Sequence, residues 1–260
     1  MYIRFGNRGK KMLQAAIKAD VFKDTIDAVS ALVNECRLHI TAEGIRTVTV
    51  DTSNVAMVSL ELAAPAFESY AFSAEKAEIG LDIEKIRSML SMIGKDDVVM
   101  LDVDDAGKKM KLSFGGYEYS LTLLDTKTIR KDPNMPNLNL PADFAIPGST
   151  FYDAIKASAM VSDKIALSVS SETKVFTLNA EGDSDKIKRE LSGDDVTYTV
   201  CDNARSLFSL DYLKDMGRVI SRADKVQIRL GTDHPVQFVF NYAAGNGKIS
   251  YLLAPRIEAE

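Results

Sequence analysis

Leu81-Asp82-Ile83-Glu84-Lys85 and Leu210-Asp211-Tyr212-Leu213-Lys214 are two versions of one phrase, and the stretches after them match as well. After the first comes a helical stretch ending near Gly94 and a strand over 98–101; after the second, a helix over 211–221 and a strand over 226–230. An alternating strand is next in both, with Met110, Leu112 and Phe114 in one and Val236, Phe238 and Phe240 in the other. Both close on a related strand, Ser120, Leu121, Leu123 and Leu124 against Ser250, Tyr251, Leu252 and Leu253. A repeat of this length is a whole domain rather than a solenoid unit. Two like domains in one chain predict a pseudo-symmetric object, a ring or a clasp in preference to a cleft enzyme.

Working outward, Leu13, Ala15 and Ile17 alternate as a first strand that begins near Met12. Phe22, Ile26, Val29 and Val33 share one helical face, which predicts a helix over 20–34. Strands over 36–42 and 45–50 flank a turn at Glu43-Gly44; 57–62 is a further strand and 71–79 is strand-rich. Asp82 is the expected N-cap of a helix over 82–93, and Gly94 its stop. In the second half, Phe151, Ile155 and Ala159 mark a helix, followed by strands near 164–170, 174–180, 184–192 and 195–201. Each half is then two rounds of helix plus strands, an α+β fold with mainly antiparallel neighbours. The boundaries read as an extension over 1–11, a first domain over 12–124, a connector over 125–147 and a second domain over 148–260. Pro133, Pro136, Pro141 and Pro147, four of the seven prolines, lie in the connector with Asp132, Asn134, Asn137 and Asn139. Its apolar run, Met135, Leu138 and Leu140, either pins it to the body or lines a binding pocket.

At 260 residues and 46% apolar, the chain has material for two cores. No apolar run approaches the length that crosses a membrane. Arg4, Arg8, Lys10 and Lys11 have no apolar stretch behind them, so the start is no signal peptide and is expected outside the fold. Cys36 and Cys201 make neither a disulfide framework nor a zinc site and suit a reducing, cytoplasmic setting. The net charge is −5, and the first eleven residues carry four basic and no acidic groups, so the rest stands at −9. Such an average surface does not favour phosphate contact, but a local basic face can coexist with it.

Residues for chemistry are sparse. His39 falls in a strand and His234 in a turn beside Pro235, neither at metal-ligand spacing from a Cys or carboxylate. Gly115-Gly116 and Gly245-Asn246-Gly247 read as hairpin tips rather than phosphate loops. Asp102, Asp104 and Asp105 read as a solvated turn. No nucleophile–base pair stands out. The expectation is a binding or scaffold protein with no catalytic residue, metal or cofactor. Lys214, Arg218 and Arg222 are spaced i, i+4, i+8 along one side of a helix. Lys23, Lys85, Arg87 and Lys156 lie on the other helices. Those helices also carry Asp20, Asp24, Asp27, Asp82, Glu84, Asp153, Asp211 and Asp215, so only the last stripe stands out by spacing.

Three segments in combination resemble a known family: Asp51-Thr52-Ser53-Asn54-Val55-Ala56-Met57-Val58; the connector with Leu124, Asp125, Ile129, Arg130, Lys131, Asp132, Pro133, Met135, Pro136, Leu138, Leu140 and Pro141; and the tail Leu253-Ala254-Pro255-Arg256-Ile257-Glu258. In order and spacing, over about 12–260, they are similar to proliferating cell nuclear antigen (PCNA) sliding clamps of the archaeal type. The resemblance implies a DNA clamp fold and a ring of three two-domain subunits around duplex DNA, acting as a processivity factor for replication and repair. Lys23, Lys85, Arg87, Lys156, Lys214, Arg218 and Arg222 would face the DNA. Three aspartates beside Lys23, and Asp153 where relatives often have a base, imply weak, salt-sensitive contact that suits sliding. The resemblance also implies a pocket for short aromatic-bearing partner peptides at Val50, Met57, Met135, Pro136, Leu138, Pro235 and Leu252, flanked by Ala254, Pro255 and Ile257. DNA polymerase, flap endonuclease, DNA ligase and a clamp loader would be the partners. Edge strands about 115–121 and 184–191 would pair between subunits, with Tyr119, Leu121, Ile187 and Leu191 at the contact. A subunit of a heterotrimeric or checkpoint-type clamp is the alternative.

Overall fold

The structure, a computed structural model, describes residues 11–257. Each half runs strand, helix, five strands, helix, three strands. The first half holds β1 (Lys11–Lys18), α1 (Ala19–Ser30), β2 (Glu35–Thr41), β3 (Gly44–Val50), β4 (Ala56–Ala63), β5 (Ser69–Phe72), β6 (Lys76–Asp82), α2 (Ile83–Met89), β7 (Val98–Asp104), β8 (Lys109–Phe114) and β9 (Tyr117–Thr122). The second holds β10 (Ala142–Ile146), α3 (Gly148–Ser158), β11 (Lys164–Ser170), β12 (Val175–Glu181), β13 (Lys186–Leu191), β14 (Thr197–Val200), β15 (Ala204–Ser209), α4 (Leu210–Ile220), β16 (Val226–Leu230), β17 (Val236–Tyr242) and β18 (Gly247–Leu253). The expected α+β class and the duplication hold.

All strand pairs are antiparallel. The first half supplies a sheet in the order β5-β1-β7-β8-β9, and the second a four-stranded sheet β13-β12-β11-β15. The third sheet has nine strands, β14-β10-β16-β17-β18-β4-β3-β2-β6. It consists of the second half's five-stranded sheet and the first half's four-stranded sheet, fused where β18 pairs with β4 from Gly247↔Leu62 to Leu253↔Ala56. By the same repeat, β9 is the counterpart of β18 and β13 the counterpart of β4. Each of these ends a sheet.

One apolar core runs through both halves, from Leu13, Ile17 and Phe22 to Phe238, Tyr251 and Leu253. The helices bury one face each and touch in the sequence α2–α1–α4–α3, forming one layer. Asp82 caps α2 by accepting the Lys85 N–H at 3.0 Å. A 3₁₀ turn over Leu90–Met92 then leads to Gly94, whose N–H donates to Asp97. Gly148 opens α3 so close to α4 that a Cβ would lie 2.1 Å from the Ile220 carbonyl oxygen.

The structure corrects three sequence expectations. The two phrases of the repeat match with a shift of two residues: Glu35 faces Asp82 and Lys164 faces Ser209, so Asp82 corresponds to Ser209 and Ile83 to Leu210. Matching N–H bonds agree, from Ile83 to the Asn34 carbonyl and from Leu210 to that of Asp163. Burial is the reason. Ile83, Ile86, Met89 and Ile93 then overlay Leu210, Leu213, Met216 and Ile220, all in the core. Second, 142–146 is the strand β10 and not part of an extended connector. Third, 204–209 forms the strand β15, which the sequence pattern does not announce. Of the expected extension, Met1 to Lys10 lie outside the described residues, whereas Lys11 opens β1 and pairs with Asp102 at 2.5 Å.

Candidate functional site

Three surfaces remain once the core is set aside. The first is the exposed side of the helix layer. Lys85, Lys156 and Lys214 each pair with an aspartate three residues earlier, Asp82 at 3.0 Å, Asp153 at 2.9 Å and Asp211 at 2.9 Å. Arg218 lies 3.9 Å from Asp215. Each hydrogen-bonded aspartate raises the pKa of its lysine. Lys23 donates to the Ile93 carbonyl at 2.7 Å. Arg87 is exposed and has no ion pair among the described residues. Arg222 departs from the expected stripe. It lies beyond the end of α4 and its guanidinium holds Asp24 at 2.5 Å and Asp27 at 2.6 Å on α1, across the junction of the two halves.

That junction is a second built feature. The Tyr251 hydroxyl, fully buried, donates to the Ala28 carbonyl at 2.8 Å, and burial raises its pKa. Tyr242 and Thr25 share a hydrogen bond of 3.1 Å. Asp51 folds its own loop. Its Oδ1 accepts N–H groups of Val55 and Ala56 at 2.7 and 2.8 Å. Its Oδ2 accepts the Ser53 N–H at 3.1 Å and the Tyr212 hydroxyl at 2.6 Å. Burial pushes the Asp51 carboxyl up, but the Ala56, Tyr212, Val55 and Ser53 donors outweigh it and hold it below the usual range. Sequence reasoning gives Asp51 no role of its own, although an aspartate followed by Thr-Ser-Asn is the pattern of a side chain that closes its own turn.

The third surface is the face of the nine-stranded sheet under the connector. Val50 faces Met57 and Met57 faces Leu252, so three expected pocket residues form one cross-strand row. Met135 lines a cavity of about 220 Å³ over Ser59, Gln227, Arg229, Val239 and Ser250. The connector is strapped down: Arg37 donates to the Ile129 and Arg130 carbonyls, His39 meets Asp132 at 2.5 Å, and Arg130 reaches the Asp51 carbonyl and Asn54. The tail runs alongside, with the Ala254 N–H on the Val55 carbonyl and the Arg256 N–H on that of Leu207. Pro235, Leu138 and Pro255 are half-buried; Pro136 is exposed and Ile257 almost wholly so.

The described residues contain no cluster of three or more His, Cys, Asp or Glu that could hold a metal, and no helix long and apolar enough to cross a membrane. Cys36 is buried, and burial pushes its thiol up to about 12; Cys201 is also a free thiol.

Residues 12–130 match the N-terminal domain of proliferating cell nuclear antigen, and residues 134–256 match its C-terminal domain. The chain belongs to the PCNA family. Over 249 residues it is 74% identical to the DNA polymerase sliding clamp of Methanocorpusculum labreanum and 55% identical to that of Methanoculleus marisnigri. Each alignment covers 96% of this chain and all of the relative. The solved structure described as "C-terminal region of FEN-1 bound to A. fulgidus PCNA" matches with a TM-score of 0.89 at 35% identity, over 96% of this chain and all of that one. As a PCNA, the chain is a DNA polymerase sliding clamp, a processivity factor and not an enzyme. The PCNA fold also accounts for the missing chemistry: what the molecule offers is surfaces and edges.

Proposed function

We propose that three copies of this chain close head to tail into a ring around duplex DNA and tether replication and repair enzymes to it. One observation carries the reading. The chain's own halves join through β18 and β4, and the counterparts of that pair, β9 and β13, are sheet ends. An unpaired edge is a site for pairing with another chain, and two complementary ones on one chain generate closed rings or open filaments. Tyr117, Tyr119 and Ile187 are the apolar groups available at these edges, since Leu121 and Leu191 already sit in the core at 7% and 2% exposure.

The helix layer would then face the DNA. Its lysines are half-neutralised by neighbouring aspartates, so phosphate contact would be shallow, salt-dependent and blind to sequence. The groove under the connector would take aromatic-bearing peptides from the polymerase and, by the same route, a flap endonuclease, DNA ligase and clamp loader. The row Val50–Met57–Leu252 supports this, as does a relative solved with the FEN-1 C-terminal region. In this reading residues 12–124 and 142–257 are the two clamp domains, and residues 125–141 between them are the connector.

Sedimentation tests the ring: a trimer at low micromolar concentration is expected, and a monomer there would sink it. Retention tests the topology. Protein placed on circular duplex should stay through gel filtration and be lost when the circle is linearised; equal loss from both forms would mean that it does not encircle DNA.

A further inference from the structure

Before it crosses the groove, the connector passes through a clasp made by Arg37, His39, Glu78 and Asp132. Arg37 commits all three guanidinium nitrogens there. Nε and Nη2 donate to the Arg130 and Ile129 carbonyls at 3.0 and 2.7 Å, and Nη1 donates to Glu78 Oε1 at 3.0 Å. His39 stands between two carboxylates, with Nε2 2.5 Å from Asp132 Oδ2 and Nδ1 3.7 Å from Glu78 Oε2. Asp132 is the last residue so held. From Pro133 to Pro141 no hydrogen bond ties the chain to the sheet among the described residues, although Met135 roofs the cavity of about 220 Å³.

Asp132 depends on that histidine. Its Oδ1 is buried with no hydrogen-bond partner among the described residues, and the side-chain partner of Oδ2 is His39 alone. A partly buried carboxylate is costly unless an opposite charge meets it, and only a protonated ring meets this one. Glu78 feels the same change. A neutral imidazole has a single N–H, so a ring that donates to Asp132 turns a lone pair toward Glu78. Other charges surround the ring. Arg46 stands directly opposite on β3, and Glu43, Glu61 and Lys248 line with His39 and Arg46 a cavity of about 380 Å³. Lys76 lies two residues from Glu78, and Lys131 is next to Asp132; both are exposed. Arginine, lysine and carboxylate side chains ordinarily hold one charge through neutral pH, whereas imidazole changes its charge there.

Resting on the peptide-groove reading, we infer that His39 is a proton-operated latch of the connector. Protonated, the ring bridges Asp132 and Glu78 and fixes the near end of the span 133–141 over the groove. Deprotonated, it frees Asp132 to turn to water, and the loose span lengthens back to the carbonyls that Arg37 holds. A partner peptide must then order more chain in order to bind, so its affinity falls as pH rises. A latch closed in about a third of the molecules weakens the peptide about threefold.

The probe is a fluorescein-labelled C-terminal segment of A. fulgidus FEN-1, the region found on a related clamp. Its anisotropy, titrated with the whole chain from about pH 6 to pH 8.5, should give a dissociation constant that rises about threefold or more. His39→Gln should bind at the weak, alkaline value at every pH, and Asp132→Asn should lose most of the slope. His234→Gln should keep it; this is the chain's other histidine, beside Pro235, with Nδ1 2.6 Å from the Thr232 carbonyl. Calorimetry on the unaltered protein adds a readout that a merely structural contact would not move. Binding near neutral pH should take up protons, so the measured heat should differ between buffers of different ionisation enthalpy. A flat profile without proton uptake overturns the latch and leaves the groove standing. A slope that survives His39→Gln belongs to another group and overturns the latch as well. Absence of binding at every pH overturns the groove reading and the latch with it.

Discussion

Replacing Asp51 tests whether one carboxylate holds the loop between β3 and β4 and, through it, the tail. Asp51→Ala removes the acceptor of four donors: the Val55, Ala56 and Ser53 N–H groups and the Tyr212 hydroxyl. Ser53 is exposed and water can replace its bond, but Ala56 is buried and Tyr212 half-buried. Hydrogen bonds to a charged group contribute about 1.5–3 kcal/mol each, and two or three lost without replacement suggest a cost of about 3–5 kcal/mol. That is a large part of the ~5–15 kcal/mol that holds a typical fold. Asp51→Asn keeps Oδ1 and its two bonds, so it should cost about 1–2 kcal/mol, and Tyr212→Phe, which removes one bond to the carboxylate, about 1.5 kcal/mol. Denaturant midpoints at fixed protein concentration would rank the three, with subunit association held constant. The sign with pH is set by the lowered folded pKa. The stabilisation is present above the ordinary carboxylate value near 3.9 and is lost as pH falls through the folded value, so Asp51→Asn should flatten this acid limb. Because the Ala254 N–H rests on the Val55 carbonyl of the same loop, Asp51→Ala should also weaken partner-peptide binding. A cost for Asp51→Ala no greater than that for Tyr212→Phe would mean that the carboxylate does not organise the loop.

Arg222→Ala should destabilise the chain by about 1 kcal/mol after allowance for solvent screening at its exposed site, while the salt slope of DNA retention stays unchanged. Charge reversal at Arg87 or Lys214 should instead lower that slope, measured as dissociation rate against salt; an equal effect from Arg222 would return it to the DNA face. Met57→Ala with Leu138→Ala should reduce the affinity of a fluorescent partner peptide by about 2 kcal/mol or more with the trimer intact, and unchanged affinity would move the pocket elsewhere. Ala243 and Ala244 both have positive φ, 50° and 52°. Ala244→Gly should therefore raise stability by about 0.4–1 kcal/mol, read from the thermal midpoint, since glycine adopts that conformation without strain.

Much of the fold was legible because its periodicity is plain. Phe22, Ile26 and Val29 on α1 and the alternation of β7, β8 and β17 need no tertiary information. β10 escaped because Pro141 and Pro147 bracket it, and prolines read as connector, although Ala142, Phe144 and Ile146 alternate inward. β15 escaped because its inward row is Ala204, Ser206 and Phe208. Ser206 is buried yet satisfied by the Gly231 carbonyl, so its polarity hid a strand. The two-residue shift in the repeat came from matching letters; the helices are aligned by what they bury. Basic residues on the helices were visible, but Arg222 as a tie to Asp24 and Asp27 was not, because that contact spans the two halves. Tyr117 gained meaning only when the sheet order exposed which edges lacked partners.

The edges β9 and β13 differ in kind, so damage to one is not equivalent to damage to both. A copy damaged on β13 alone can still offer β9 to an intact neighbour, and the reverse holds for damage on β9. Such a copy would not drop out of assembly; it would occupy an end and stop growth there. One defective subunit among three would leave the circle open, so a minority of half-competent chains could disable a disproportionate share of the assemblies. Chains damaged on both edges, by contrast, would be inert bystanders. In genetic terms, the milder lesion would be dominant and the more severe one recessive.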